Sequence, residues 1–543
     1  MDQRVDRHRA AVTRLAARVG RVALVAVPFG FLGLFFAYPV GSILARGLAP
    51  GGRVDLGPVG DVFTNASLRG IAWFTVWQAA LSTLLTVLVA LPAAYVVSRF
   101  RFPGRALVRA AIVIPFVLPT VVVGSAFLAL GFRPSLGAIV IAHVFFNYAV
   151  VVRIVGGFWT HLDPQQDDAA RVLGASRLRA FTHVVLPALR PALLGAAAIV
   201  FLFTFTSFGV ILILGGPTRS TLETEIYRQT AELLNLRTAA ALSIVQVTAV
   251  AAVLVVVGRA EGRHGVALRL RSARDTARRV RTGVERVFVG ANLVVMTALL
   301  GAPLAVLLAR SFDTTGGLSF GFYDALGHLH ANSVLFVPPV DAIQNSLVFA
   351  GEATVIAVGI GGLAAVAVAH TRRGRLLDGA LALPLGVSAV TVGFGFLIAL
   401  DKAPLDLRTS SLLIPIAQGT VAVPFVVRTI VPVLRSIDPR LREAAMTLGA
   451  SPARVWREVD GPIVARAGLV AAGFAFAISL GEFGATVFLA RPNTQTLPVV
   501  IFRLLGQPGE LNFGAAMAAS TILMTLTGAA VLLIDRVRVA RVF

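Results

Sequence analysis

At 543 residues the chain has room for about three or four soluble domains, yet 57% of it is hydrophobic, only 14% is charged and the mean hydropathy is +0.82. Soluble domains run at about 25% charged, so the composition excludes them, together with disordered, collagen-like and disulfide-stapled secreted chains, and leaves an integral membrane protein. Cysteine is absent and the net charge of +22 is carried almost wholly by arginines between apolar runs, which removes thiolate metal sites and makes the charge a topology signal before a nucleic-acid one.

Twelve runs are long enough, at about 20 residues each, to cross a bilayer: 22–45, 70–97, 108–130, 136–158, 188–214, 238–258, 287–309, 343–369, 378–400, 411–433, 463–490 and 512–534. Pro115, Pro119, Gly359, Gly361 and Pro384 fall inside them and are expected to be accommodated, because membrane bundles tolerate such residues. The first run follows Arg4, Arg7, Arg9, Arg14, Arg18 and Arg21. At about 24 residues it exceeds the apolar region of a secretory signal and no clean cleavage site follows, so it reads as a retained helix.

Segments 1–21, 98–109, 153–190, 259–286, 370–375, 428–466 and 535–543 hold most of the 49 Lys and Arg residues, whereas 311–342 has none and carries Asp313, Asp324 and Asp341. Basic residues collect on cytoplasmic loops, which predicts both termini inside.

The chain repeats itself at a constant offset of 275 residues. Asp163-Pro164 answers Asp438-Pro439, and Ala169, Ala170, Leu173, Gly174, Ala175 and Ser176 recur as Ala444, Ala445, Leu448, Gly449, Ala450 and Ser451. The register runs on through Pro187/Pro462, Phe208/Phe483, Pro217/Pro492, Ile226/Ile501 and Arg228/Arg503. Two six-helix copies in parallel topology are implied, 1–258 and 287–543, joined by a basic cytoplasmic linker, 259–286, with a pathway expected between them. An arginine-rich joint of this kind reads as a topology signal near anionic lipid.

Within each copy the long cytoplasmic loop, 163–187 or 438–462, opens on an Asp at an N-cap position with proline next, where a missing N–H costs nothing. About ten residues later Gly174 or Gly449 is placed for a left-handed helix end, and Ser176 or Ser451 is placed to cap a second helix. A helix, a tight turn and another helix outside the bilayer are predicted. The same A-x3-G-x-S spacing occurs in DNA-binding helix-turn-helix units, but a loop tethered to membrane spans at both ends is a poor entrant to a major groove, and no nucleic-acid partner is expected.

This pattern resembles the EAA loop of permease subunits of ATP-binding-cassette importers. The first copy reads Asp168-Ala169-Ala170, Gly174, Val184, Leu186, Pro187; the second reads Glu443-Ala444-Ala445, Gly449, Val459, Gly461, Pro462. The resemblance implies an all-α type I permease fold of about twelve spans and a multi-pass protein of the bacterial cytoplasmic membrane. It implies as partners two copies of an ATPase subunit, each seating a loop as a helix in a groove, and an extracytoplasmic binding protein. ATP and magnesium would belong to the ATPase; no cofactor is expected in this chain, whose only lysine, Lys402, lies outside any Gly-Lys-Ser/Thr phosphate loop. No nucleophile triad or metal constellation is evident, with His328 and His330 the only close histidine pair, so catalysis is not expected.

Acidic residues in spans are costly, and two stand out: Glu352 and Glu482. The repeat mate of Glu482 is Ser207. These two, with Phe208 and Phe483 beside them, either line the pathway or are polar groups buried between helices. His143 and Asn147, one turn apart, read as interhelical hydrogen-bonding residues. Arg228 and Arg503, in the outside loops 215–236 and 490–511, are candidates for binding-protein contact. The fused arrangement looks like the thiamine and ferric-iron branch, near the sulfate and molybdate permeases; Leu214-Gly215-Gly216-Pro217, Glu223 and Ile226-Tyr227 look most like the thiamine permease. A secondary transporter with two pseudo-symmetric halves is the alternative from another class, and the paired loops argue against it.

Overall fold

The structure, a computed structural model, describes residues 22–539 except 50–52, 54, 164, 264–276, 330–334, 336, 372–373, 402–405 and 408. His330, Lys402 and the basic N-terminus lie outside the described residues. The twelve expected spans correspond to α1 (Val22–Leu48), α2 (Ala66–Arg99), the bent pair α3 (Arg105–Val117 and Thr120–Ala129), α4 (Leu136–His161), α5 (Arg177–Phe205), α6 (Leu236–Val256), α7 (Gly283–Arg310), α8 (Pro339–His370), α9 (Ala389–Ala399), α10 (Leu413–Ser436), α11 (Pro452–Leu480) and α12 (Glu510–Ile534). Among the described residues ten are single helices long and apolar enough to cross a bilayer, α3 passes only as a bent pair, and α9 has 11 residues.

The third span of each copy differs from the continuous helix expected. In α3 the two segments meet at 102°, because Pro119 forbids the helical conformation to Leu118, which is extended at ψ 142. In the second copy a helix Gly374–Ala382 and a tight turn Leu383–Gly386 precede α9, with Pro384 in that turn. The prolines interrupt the spans rather than being absorbed by them.

Contacts divide the chain into two compact units: Gly47–Pro339 with Val500–Thr525, and Met1–Arg46 with Val340–Val499 and Leu526–Phe543. The units do not follow the repeat order, since the first helix of each copy is grouped with elements of the other copy. In the first-named unit α2 and α4 pack closely through Ala90, Ala93 and Ala94, all fully buried; a Cβ added to Gly156 would lie 3.3 Å from the Ala94 carbonyl oxygen. In the other unit the same device joins α8 and α10, where a Cβ on Gly361 would meet Val426 at 2.8 Å. Small residues let membrane helices approach and gain dispersion contacts, since lipid supplies no hydrophobic drive between them. Large apolar side chains such as Trp73, Val294 and Val355 are exposed on the outer helix faces, as lipid-facing surfaces require.

Helix starts follow the local sequence. Asn65 accepts from the Ser67 and Leu68 amides to open α2, Ser135 caps α4, and Thr282 with Glu285 forms a capping box on α7. The hydroxyls of Thr75 and Ser346, on α2 and α8, accept from the amides of Leu222 and Leu497 at 3.0 and 2.7 Å. Leu222 and Leu497 are repeat mates, so each copy hangs its short helix, Leu222–Tyr227 or Leu497–Leu505, on its second span in the same way.

Candidate functional site: paired loops and broken helices

Both long loops fold as the residue spacing predicts. Asp163 Oδ1 accepts from the Gln165 amide at 3.0 Å and Asp438 Oδ1 from the Arg440 amide at 3.0 Å; the helices Gln165–Val172 and Pro439–Thr447 come next. Gly174 at φ +90 and Gly449 at φ +84 make the turn, a conformation that only glycine enters without a Cβ penalty. Ser176 and Ser451 then cap the entries to α5 and α11. Both helices open with a π-turn, Phe181–Val185 and Trp456–Asp460, at identical repeat register. Gly461, which departs from the leucine of the first loop, fits this turn: a Cβ there would stand 2.8 Å from the Trp456 carbonyl oxygen.

Exposure shows what these loops offer. Asp168, Ala169 and Gly174 are exposed and Ala170 half-buried; Glu443, Ala444, Gly449 and Ala445 repeat that pattern position for position. Leu173 and Leu448, repeat mates just before the turn glycines, are 88% and 89% exposed. An acidic residue, small alanines and a bare leucine are therefore offered by each loop. The two are anchored differently. Phe181 stacks on Trp159 of α4, centroids 6.3 Å apart, and Trp159 meets Tyr95 of α2 at 5.1 Å. In the second loop Trp456 meets His370 of α8 edge-on at 6.4 Å, and Arg442 Nε grips both oxygens of the buried Asp460 at 2.9 and 3.0 Å.

The fifth span of each copy breaks where the candidate pathway residues lie. α5 ends at Phe205, and Thr206-Ser207-Phe208 leads to a short helix, Gly209–Leu214. α11 ends at Leu480, and residues 481–485 lead to Thr486–Leu489. A non-helical backbone at membrane depth has to be buried in protein or line a cavity. In the first copy Ser207 Oγ lies 2.9 Å from His143 Nε2, and His143 Nδ1 lies 3.0 Å from Ser82 Oγ, so the break is tied through α4 to α2. All three are buried. Asn147 donates to the His143 carbonyl one turn back and is not the link between helices; His143 is.

In the second copy Glu482 turns inward on its own chain. Its Oε1 accepts from the Ala485 amide at 2.7 Å, and its Oε2 accepts from the Thr486 amide at 3.0 Å and the Thr486 hydroxyl at 2.5 Å. The carboxylate thereby caps the short helix after the break. Gln418, the repeat mate of His143, donates from α10 to Thr486 Oγ1 at 3.4 Å. The sequence pairs Ser207 with Glu482, but the reach of His143 and Gln418 to these breaks is visible only in three dimensions. The 275-residue relation between His143 and Gln418 is the signal that could have pointed to it.

Arg228 is exposed and donates to the buried Glu225 at 3.3 Å; Arg503 is half-buried. Phe208 and Phe483 are both buried. Glu352 is half-buried on α8, and among the described residues no group of His, Asp and Glu could hold a metal ion.

Residues 82–260 match the family described as binding-protein-dependent transport system inner membrane component. The thiamine transport system permease protein ThiP of Brucella abortus (strain 2308) is 28% identical over 92% of this chain and 93% of its own length. The corresponding ThiP of Escherichia coli (strain K12) is 25% identical over 82% and 85%. The sulfate transport system permease protein CysT of Salmonella typhimurium is 34% identical, over 29% of this chain and 62% of its own. These similarities support a fused permease of a binding-protein-dependent ABC importer. The permease is a multi-pass membrane protein of a transport family, which implies an ABC ATPase and a substrate-binding protein as its partners.

Proposed function

We propose that this permease carries thiamine inward across the bacterial cytoplasmic membrane, driven by two ATPase subunits that dock one at each long loop. The observation that carries the docking reading is the matched surface of Asp168, Leu173 and Gly174 with Glu443, Leu448 and Gly449, exposed alike in both copies. An exposed leucine and an exposed carboxylate on each loop suit a groove with an apolar floor and a basic rim, the helix-in-groove mode of recognition. ATP and magnesium belong to those partners, and the chain conducts rather than catalyses. The basic connections put both termini and both loops in the cytoplasm. A two-lobed binding protein then docks on the opposite side, near Arg228 and Arg503. Thiamine is favoured because permeases of that substrate align along nearly the whole chain.

In this reading the residues at the breaks after α5 and α11 belong to the pathway. Glu482 shapes its break by capping, and Ser207 by its bond to His143, so both position Phe208 and Phe483 rather than bind solute at a distance. The test uses the permease coexpressed with its ATPase and binding protein in cells lacking thiamine uptake. Wild type should restore uptake of labelled thiamine. Gly174→Val with Gly449→Val forces a β-branched residue into a left-handed turn, at a cost of about 1–3 kcal/mol each, and should abolish copurification of the ATPase while the permease still reaches the membrane. Full ATPase recovery with normal stimulated hydrolysis would refute docking at these loops; no uptake by wild type would refute thiamine.

A further inference from the structure

The short helices Leu222–Tyr227 and Leu497–Leu505 carry a feature that the docking loops and the breaks leave unused. Tyr227 and Phe502 are repeat mates, 275 residues apart, and they touch: their rings meet edge-on at 83° with centroids 6.4 Å apart. This contact lies wholly within the unit Gly47–Pro339 with Val500–Thr525. Under an approximate two-fold relation a residue can contact its own mate only on the axis, and a path between two such copies follows that axis. Tyr227 also meets Phe208, edge-on at 5.6 Å, next in the chain to the Ser207 bonded to His143. Tyr227 and Phe502 are half-buried.

The charge around this pair is asymmetric. Glu223, one helical turn before Tyr227 and on the same face, is fully buried and accepts from the neutral amide of Gln246. Glu225, also buried, takes Gln229 at 2.6 Å as well as Arg228. Their mates in the second copy are Pro498 and Val500. Carboxylates therefore precede the ring in the first copy alone, while an arginine, Arg228 or Arg503, follows it in both. Ring faces are electron-rich and attract cations, most strongly where water is excluded.

We infer that Tyr227 and Phe502, with Phe208, form an aromatic passage on the translocation path that admits a flat cationic ring by stacking and cation–π contact. This rests on the thiamine reading above, since thiamine joins two flat heteroaromatic rings, one of them cationic. A leucine pair would keep apolar bulk but remove the π faces. In proteoliposomes holding permease, ATPase and thiamine-loaded binding protein, Tyr227→Leu with Phe502→Leu should lower thiamine uptake about thirtyfold, the scale of a lost desolvated cation–π contact. Hydrolysis stimulated by the binding protein should be unchanged, and Tyr227→Phe should transport as wild type. Because the chain has no cysteine, Tyr227→Cys gives a second measurement should the leucine pair fail to accumulate: labelling by a cationic thiol reagent should slow when loaded binding protein delivers thiamine under turnover. Wild-type uptake from the leucine pair, or labelling of the Tyr227→Cys variant unaffected by thiamine, overturns the passage. A wild type that takes up no thiamine overturns the substrate reading and this inference with it, a result distinct from a variant that merely equals an active wild type.

Discussion

The two breaks in the fifth spans share one backbone plan and solve its polar problem in opposite ways. After α5 the break is held from outside itself: Ser207 reaches His143 on α4, and His143 reaches Ser82 on α2. After α11 the break is held from within, as Glu482 caps the amides of Ala485 and Thr486 and takes the Thr486 hydroxyl. The first solution uses neutral hydrogen bonds between helices; the second sets a buried carboxylate against three donors three and four residues downstream. Duplicated topology thus fixes where a helix must be interrupted, and the chemistry of interruption is free to diverge once the copies are fused.

The sharpest way to break this comparison is Glu482→Ala. It leaves buried donors of the short helix without an acceptor, and each such donor costs about 1–3 kcal/mol, so a total near 3 kcal/mol should appear as a marked fall in the thermal midpoint of the detergent-solubilised importer. Glu482→Gln keeps one acceptor oxygen and should fall less. Equal midpoints for the alanine variant and wild type would show that the carboxylate does not hold the break.

Next in size is Arg442→Ala, which tests whether the second copy also relies on charge at its loop. Asp460 is buried, and losing its bidentate partner strands a carboxylate, at a cost of about 3 kcal/mol for a fully buried pair and less here because Arg442 is partly exposed. In the first copy the mates of Arg442 and Asp460 are Asp167 and Val185, which cannot form an ion pair. Asp167→Ala should leave the stability of the importer, read from the same thermal midpoint, within about 0.5 kcal/mol of wild type; similar losses from both variants would erase the difference between the loops.

His143 offers the finest test. Hydrogen bonds between membrane helices average about 0.6 kcal/mol, so His143→Leu, which loses two, should cost about 1 kcal/mol. His143→Gln places in the first copy the residue that the second copy uses at that position, Gln418, and should recover part of it. If the glutamine variant is no better than leucine, the two breaks are not alternative answers to one constraint.

Much of this was legible in the residues alone. Apolar runs located ten spans that are single helices and an eleventh that is a bent pair, because a bilayer imposes a length on any helix that crosses it. The loops were readable down to single roles, Asp163 and Asp438 as caps and Gly174 and Gly449 as turns, because caps and left-handed positions depend on local chemistry over a few residues. The pathway region was readable only as positions: Ser207 and Glu482 stood out as polar mates, but not as the sites of broken helices. Pro119 and Pro384 were expected to be absorbed, whereas Leu118 is driven extended by the proline after it.

By itself, then, the amino-acid sequence determined the features that depend on near neighbours and on periodicity: spans, repeat, loop turns and their acidic, apolar composition. Only the tertiary structure decided which distant groups meet. It brought His143 between Ser82 and Ser207, turned Glu482 back on Thr486 and set Tyr227 against Phe502. The physical reason is that a hydrogen bond or a ring contact across helices depends on how two cylinders pack and rotate, and small residues such as Gly156 and Gly361, silent in charge and motif, set that packing.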